Sequence, residues 1–221
     1  MKRAITSILA IAAIVVISIM IKNAINLKDA KELFEKTKIY EQSNVYWNTK
    51  EIYYNEFGEE EIKSEVKRYR LNNLLKVIPV KSEEKNSFSY YVQDNEKVYI
   101  VSHENRTVII TNKTNEGIKF SDIYNNELKP FYEKNKENIK YRKTEKVNGK
   151  DCYVLEYKNN GENEYKIWLE KESGVVVKIQ TKDISNDEIS IKEYEYSIDT
   201  VTENDFVVPE LDEYNVRNVR N

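Results

Sequence analysis

The stretch "NEYKIWLEKESGVVVKIQTKD", residues 163–183, decides how this chain folds. Tyr165, Ile167 and Leu169 alternate with Lys166, Trp168 and Glu170. After "KESG", Val175, Val177 and Ile179 alternate with Val176, Lys178 and Gln180. A period of two marks a strand, and residues 171–174 read as the turn between two of them. Trp168 is the anomaly, a large ring on the face that otherwise carries Lys and Glu. The stretch reads as a structural hairpin, with Trp168 either core or the wall of a binding site.

The same period runs through most of the chain. "NVYWNTKEIYYNEF" and "EEEIKSEVKRYRL" flank Gly58 as the arms of a long hairpin. "NNLLKVIPV" is apolar, but Pro79 cannot donate to a ladder, which predicts an edge or an irregular segment. "FSYYVQ", "KVYIVS" and "TVIITN" make a meander of short strands. "YRKTEKV" and "DCYVLEYK" flank the Asn148-Gly149 pair, a strong hairpin signal. "ISIKEYEYSID" and the closing "ENDFVVPE" complete about ten strands, followed by a polar tail from Asp212. Two segments have helical spacing. "NLKDAKELFEKTKIYEQ" places Ala30, Leu33 and Phe34 on one face, with Asp29 as a cap. "FSDIYNNELKPFYEKNKEN" repeats Tyr124, Leu128, Phe131 and Tyr132, with Pro130 either kinking the helix or opening a second one. The expected fold is α+β: one large curled antiparallel sheet covered by helices.

The beginning of the chain has a different character. Ala4 to Ile21 is uncharged and mostly apolar, bounded by Lys2, Arg3 and Lys22. At 1.5 Å per residue it reaches about 27 Å, close to the thickness of a bilayer core. Lys22 stands where a cleavage site needs a small residue, so an uncleaved signal-anchor is favoured over a cleaved peptide. The expected organisation is an anchor over residues 1–23, an extracytoplasmic domain over 27–211 and a tail over 212–221. The expected location is the cell membrane, crossed once.

Composition excludes several functions. The 221 residues carry a net charge of -3 with 33% charged residues of both signs, so no basic field for nucleic acid exists. Only 5 glycines occur, and no phosphate-cradling loop is found. One His (His103, in the turn "SHENR") and one Cys (Cys152, inside a strand) cannot supply a His-rich or Cys-rich metal site. Cys152 reads as a small buried residue. No nucleophile elbow or comparable catalytic signature is present. Neither enzymatic activity nor a cofactor is expected. The 17 tyrosines favour half-buried sheet and offer contact anchors.

The order of elements and three local pieces, "VNGKDCYVLEYK", "YKIWLEKESGVVVKIQ" and "ENDFVVPE", resemble the LolA/LolB-like superfamily. Within it, "NGKDCYVLEY" and the Lys/Asn/Ile/Tyr-rich composition are most similar to germination lipoprotein GerS-related proteins of spore-forming clostridia. The resemblance implies an unclosed half-barrel with an apolar concave side plugged by helices. It also implies a non-enzymatic partner of a cell-wall amidase in sporulation and germination, placed between forespore and mother cell. The carrier branch of the superfamily implies a lipid or acyl-chain ligand instead, and an envelope-stress sensor domain is a third reading. Trp47, Tyr53, Phe131, Trp168, Tyr194 and Tyr196 are the candidate partner-contacting or cavity-lining residues.

Overall fold

The computed structural model describes residues 2–54, 57–82, 88–114, 117–158 and 163–219, with side chains from residue 12 onward. Helix α1 (Lys2–Lys36) leads into the strands β1 (Asn44–Tyr54), β2 (Glu60–Leu71), β3 (Leu74–Lys81), β4 (Tyr90–Gln93), β5 (Lys97–Ser102) and β6 (Thr107–Asn112). A helical insertion follows, made of α2 (Phe120–Asp122), a π-helical stretch (Ile123–Leu128) and α3 (Lys129–Asn135). Then come β7 (Lys140–Val147), β8 (Lys150–Lys158), β9 (Asn163–Glu170), β10 (Val176–Asp183), β11 (Ile189–Ile198) and β12 (Asn215–Val219).

Among the described residues these strands form one sheet in the order β12-β6-β5-β4-β3-β2-β1-β11-β10-β9-β8-β7. It is an open α+β sheet, antiparallel except where β12 pairs in parallel with β6. The β1–β11 pairing, with Trp47 opposite Tyr196 and Thr49 opposite Tyr194, joins the first meander to the second.

Four expectations change. Asp29 does not cap a new helix. No Gly or Pro interrupts the chain between Ile21 and Lys36, so α1 is continuous and Asp29 lies exposed in its interior. The run from Asp212 is not simply a tail. Asn215 N–H donates to the Arg106 carbonyl at 2.8 Å, and residues 215–219 extend the sheet. The Tyr214 hydroxyl lies 2.6 Å from His103 Nδ1, which ties that histidine's turn to the added strand. Pro79 stands inside the sheet, but β4 pairs with β3 only over Leu75, Lys76 and Val77, so its missing donor faces no partner strand. "ENDFVVPE" opens as a 3-10 turn, Glu203–Phe206, which tucks Phe206 beside Val92 and Val201 on the convex face.

The membrane anchor stands apart from these. Among the described residues no helix is long and apolar enough to cross a membrane. The expected span from Ala4 to Ile21 is only partly covered, because the side chains of residues 1–11 lie outside the described ones.

The opening hairpin also departs from simple alternation. Val176 pairs with Leu169 and Lys178 with Trp168, so a bulge falls at Val177. Val175, Val176 and Ile179 pack on the concave side, whereas Val177 joins Cys152, Val154 and Trp168 on the convex side. The last residue of the turn is buried against α1. Gly174 has φ +74°, and a Cβ there would lie 2.8 Å from the Leu33 carbonyl oxygen and 3.0 Å from Thr37 Cβ. The Thr37 hydroxyl donates to the Ser173 carbonyl at 2.6 Å, and Val176 N–H donates to the Tyr40 hydroxyl at 2.9 Å.

Gly149 provides the control for this contact, since its φ is +81° but nothing lies within 4 Å of an added Cβ. Gly149→Ala is expected to cost only the backbone strain, on the order of 1 kcal/mol. Gly174→Ala adds a collision with helix backbone and is expected to cost at least about 3 kcal/mol. Urea unfolding of the two variants checks the difference.

Candidate functional site

The concave face is divided in two. Over β1 and β8–β11 it is filled by the chain's own rings. Phe34 lies 4.6 Å from Tyr132 and 5.2 Å from Tyr124; Phe120 lies 5.0 Å from Tyr40 and 5.6 Å from Trp47. Pro130 near the start of α3 has no N–H to give, and the widened turns of the π-helical stretch precede it. Ile123 and Leu128 from that stretch, and Tyr132 from α3, enter the same core. The tyrosine hydroxyls find acceptors at its rim: Tyr124 donates to the Phe34 carbonyl, Tyr132 to Glu35 and Tyr194 to Glu127. Burial drives the Tyr40 and Tyr194 pKa values well above the ordinary phenol range, so both stay neutral.

Over β4 and β5 the concave face is open. Tyr91, Gln93, Val98 and Ile100 floor a trough of about 600 Å³, and Gly117, Ile118 and Asp122 form its lip. The lip is fixed from behind. Arg70 donates to the Ile118 carbonyl at 2.9 Å, the Asp122 carboxylate accepts from Lys119 N–H at 2.7 Å, and Gly117 leaves no room for a Cβ beside Leu75. Arg68 stands between the two halves, opposite Trp47 on one side and Val77 on the other. Burial lowers its guanidinium pKa, although it remains a cation at any ordinary pH.

The candidate residues do not converge on one place. Trp47, 1% exposed, lies in the filled half beside Tyr196, and Phe120 contacts both rings. Tyr194 is buried on the same strand as Tyr196. Phe131 packs on Tyr157 and Tyr165 at the far end of that half. Tyr53 lies near the end of β1, 40% exposed, with Lys63 5.6 Å from its ring. Trp168 is on the opposite, convex face. It rests on Cys152, Val154 and Val177, donates from Nε1 to Glu145 at 2.7 Å, and has Lys178 at 5.5 Å from its ring.

Tyr91, Ile100, Ile118 and Arg68 were not among the residues singled out by sequence. The available signal lay in "EVKRYRL", where Arg68 and Arg70 occupy the face shared with Val66. It was obscured because Tyr69 and Leu71, on the other face, are apolar too and are covered from the convex side.

A polar cluster secures the filled half. Glu170 accepts hydrogen bonds from Ser173 Oγ and the Tyr196 hydroxyl, and Lys150 Nζ lies 3.3 Å from its carboxylate and 3.7 Å from the Tyr196 ring. Burial opposes the charge, but these donors outweigh it and hold the Glu170 carboxyl below the usual range. Cys152, reduced and buried nearby, has its thiol pushed up to about 11 by burial. Among the described residues no group of three His, Cys, Asp or Glu side chains is placed to hold a metal ion.

No family model matches the chain, and no curated protein does. Solved structures do. LprF from Mycobacterium bovis is similar at 7% identity, over 82% of this chain and 97% of that one, with a TM-score of 0.50. A LolA superfamily protein from Nitrosomonas europaea is similar at 10% identity, over 81% of this chain and 97% of that one, with a TM-score of 0.31. The MucA/MucB complex of Pseudomonas aeruginosa contains a chain similar at 11% identity, over 86% of this chain and 64% of that one, with a TM-score of 0.42. The likeness is one of fold.

Two expected outcomes follow from the geometry. Trp168→Ala, which removes a ring 7% exposed and leaves Glu145 without its indole donor, is expected to destabilise by about 3 kcal/mol in urea unfolding. Because the fold depresses the Glu170 pKa, its contribution is full above about pH 4.3 and is lost as pH falls through the lower, folded value. The stability gap between wild type and Glu170→Gln is therefore expected to hold constant from pH 7 to about 5 and to shrink toward pH 3. A gap that widens in acid would show the sign to be wrong.

Proposed function

We propose that the chain is a non-enzymatic binding protein of the cell envelope, which offers the open half of its concave face to a protein partner. The observation that carries this reading is the filled half. Trp47 and Phe120 are 1% and 2% exposed, so the enclosed part of the concavity is already occupied by the chain's own rings. A carrier of acyl chains needs an enclosed apolar cavity that buries most of its ligand. The shallow trough over Tyr91, Val98 and Ile100 suits a protein segment better. Resemblance at "NGKDCYVLEY" makes a cell-wall amidase of sporulation or germination the partner of choice.

Attachment to the cell membrane through α1, with the sheet on the extracytoplasmic side, belongs to the same proposal. Its support is the helix surface: Ile14, Val15, Ile17, Ile19, Met20 and Ile21 are all at least half exposed. A helix that is apolar all round needs cover, and a bilayer supplies it.

The mostly apolar floor of the trough keeps a fixed lipid receptor as the second reading. Native mass spectrometry and amidase capture with the full-length protein separate the two. Expected are a lipid-free mass, and capture that drops at least about tenfold in a folded Ile100→Glu variant. Stoichiometric lipid in the wild type, or capture indifferent to Ile100→Glu, would overturn the protein-partner reading.

A further inference from the structure

One cation on the concave face lacks a counterion. The Arg68 guanidinium donates from Nη1 to Thr49 Oγ1 at 3.3 Å and to the Val66 carbonyl at 3.4 Å, both near the long limit for a hydrogen bond. Its Nε is buried with no acceptor. The Trp47 ring lies 6.0 Å away, and among the described residues no carboxylate comes within ion-pair distance. Glu127, whose charge is felt at Arg68, is already engaged by Lys192 and the Tyr194 hydroxyl, each at 3.3 Å. Asp122, at the lip, is taken up by Lys119 N–H.

A half-buried guanidinium with unfilled donors is costly, and its planar fork matches a carboxylate. In the register of the sheet Arg68 lies opposite Val77, Val77 opposite Tyr91, and Tyr91 opposite Ile100, so one row of residues on the concave face runs from the cation to the trough floor. The cation therefore stands at the inner end of that row, beside a mostly apolar trough.

We propose that this trough takes an apolar segment of a partner protein and that an Asp or Glu side chain of that segment pairs with Arg68. The proposal rests on the reading of the chain as a protein-binding module and adds the chemistry by which it selects its partner. Apolar residues flanking the acid would lie on Tyr91, Val98, Ile100 and Ile118, which excludes water from the ion pair and strengthens it. A fatty acid offers the same carboxylate. Its chain, however, would lie uncovered in a trough this shallow, because the enclosed half of the concavity is filled.

The test is selection of a random peptide phage library on the full-length protein in lipid nanodiscs, followed by binding of the enriched peptides to variants. Enriched sequences are expected to carry one Asp or Glu flanked by Leu, Ile, Val or Phe. Arg68→Met is expected to weaken them at least about tenfold. The same variant should unfold at an equal or higher temperature than wild type, since it removes an unpaired buried charge. Enriched peptides without an acid, sensitive to Ile100→Glu but not to Arg68→Met, would overturn the ion pair and leave the protein-binding reading standing. Dodecanoate binding that shifts the Tyr91 and Ile100 resonances, with no peptide enriched, would overturn both. If no peptide is enriched and dodecanoate does not bind, the trough is not a binding site and the proposal is overturned.

Discussion

The fold depends on how closely the turn at residues 171–174 approaches α1. Gly174 brings its backbone against the Leu33 carbonyl, a separation that no residue with a Cβ can reach without displacing the helix. Around that contact, Thr37 holds the Ser173 carbonyl, Tyr40 accepts from Val176, and Glu170 gathers Ser173, Tyr196 and Lys150. Four elements from distant parts of the chain thus meet on one turn. Because the polar groups there satisfy each other, the helix can lie on the sheet without leaving buried donors or acceptors unfilled.

With α1 fixed, its Ala30 and Phe34 close one side of the concavity, and α2, the π-helical stretch and α3 close the other. Tyrosine suits this interior because each ring buries a large apolar area while its hydroxyl reaches an acceptor at the edge. The result is a sheet with a solid half and an open half. That asymmetry, rather than a single catalytic constellation, is what the molecule offers chemically.

Much of the fold is legible in the residues. The period of two through "YKIWLEKESGVVVKIQ" and "NVYWNTKEIYY", and the Asn148-Gly149 and Gly174 turns, specify antiparallel hairpins before any tertiary contact is known. What escapes is the consequence of covering both faces. Once the convex side is also packed, with Phe206 there and Trp168 roofed by Glu145 and Lys178, alternation no longer separates inside from outside. The bulge at Val177 is equally hidden, since three consecutive valines look the same in any register. Trp47 and Trp168 are both large rings in strands, yet they lie on opposite faces of the sheet. Arg68 is a surface charge by residue type, and only the strand register turns it toward the concave side.

The continuity of α1 has a mechanical meaning. The helix is one unbroken rod from Lys2 to Lys36, and its last turns are part of the hydrophobic core. Any pull, tilt or twist at its N-terminal side reaches Phe34 and the Gly174 contact directly, because the helix is continuous between them. The rod acts as a lever whose fulcrum is the core itself. Load on the helix and the integrity of the concave face are therefore coupled.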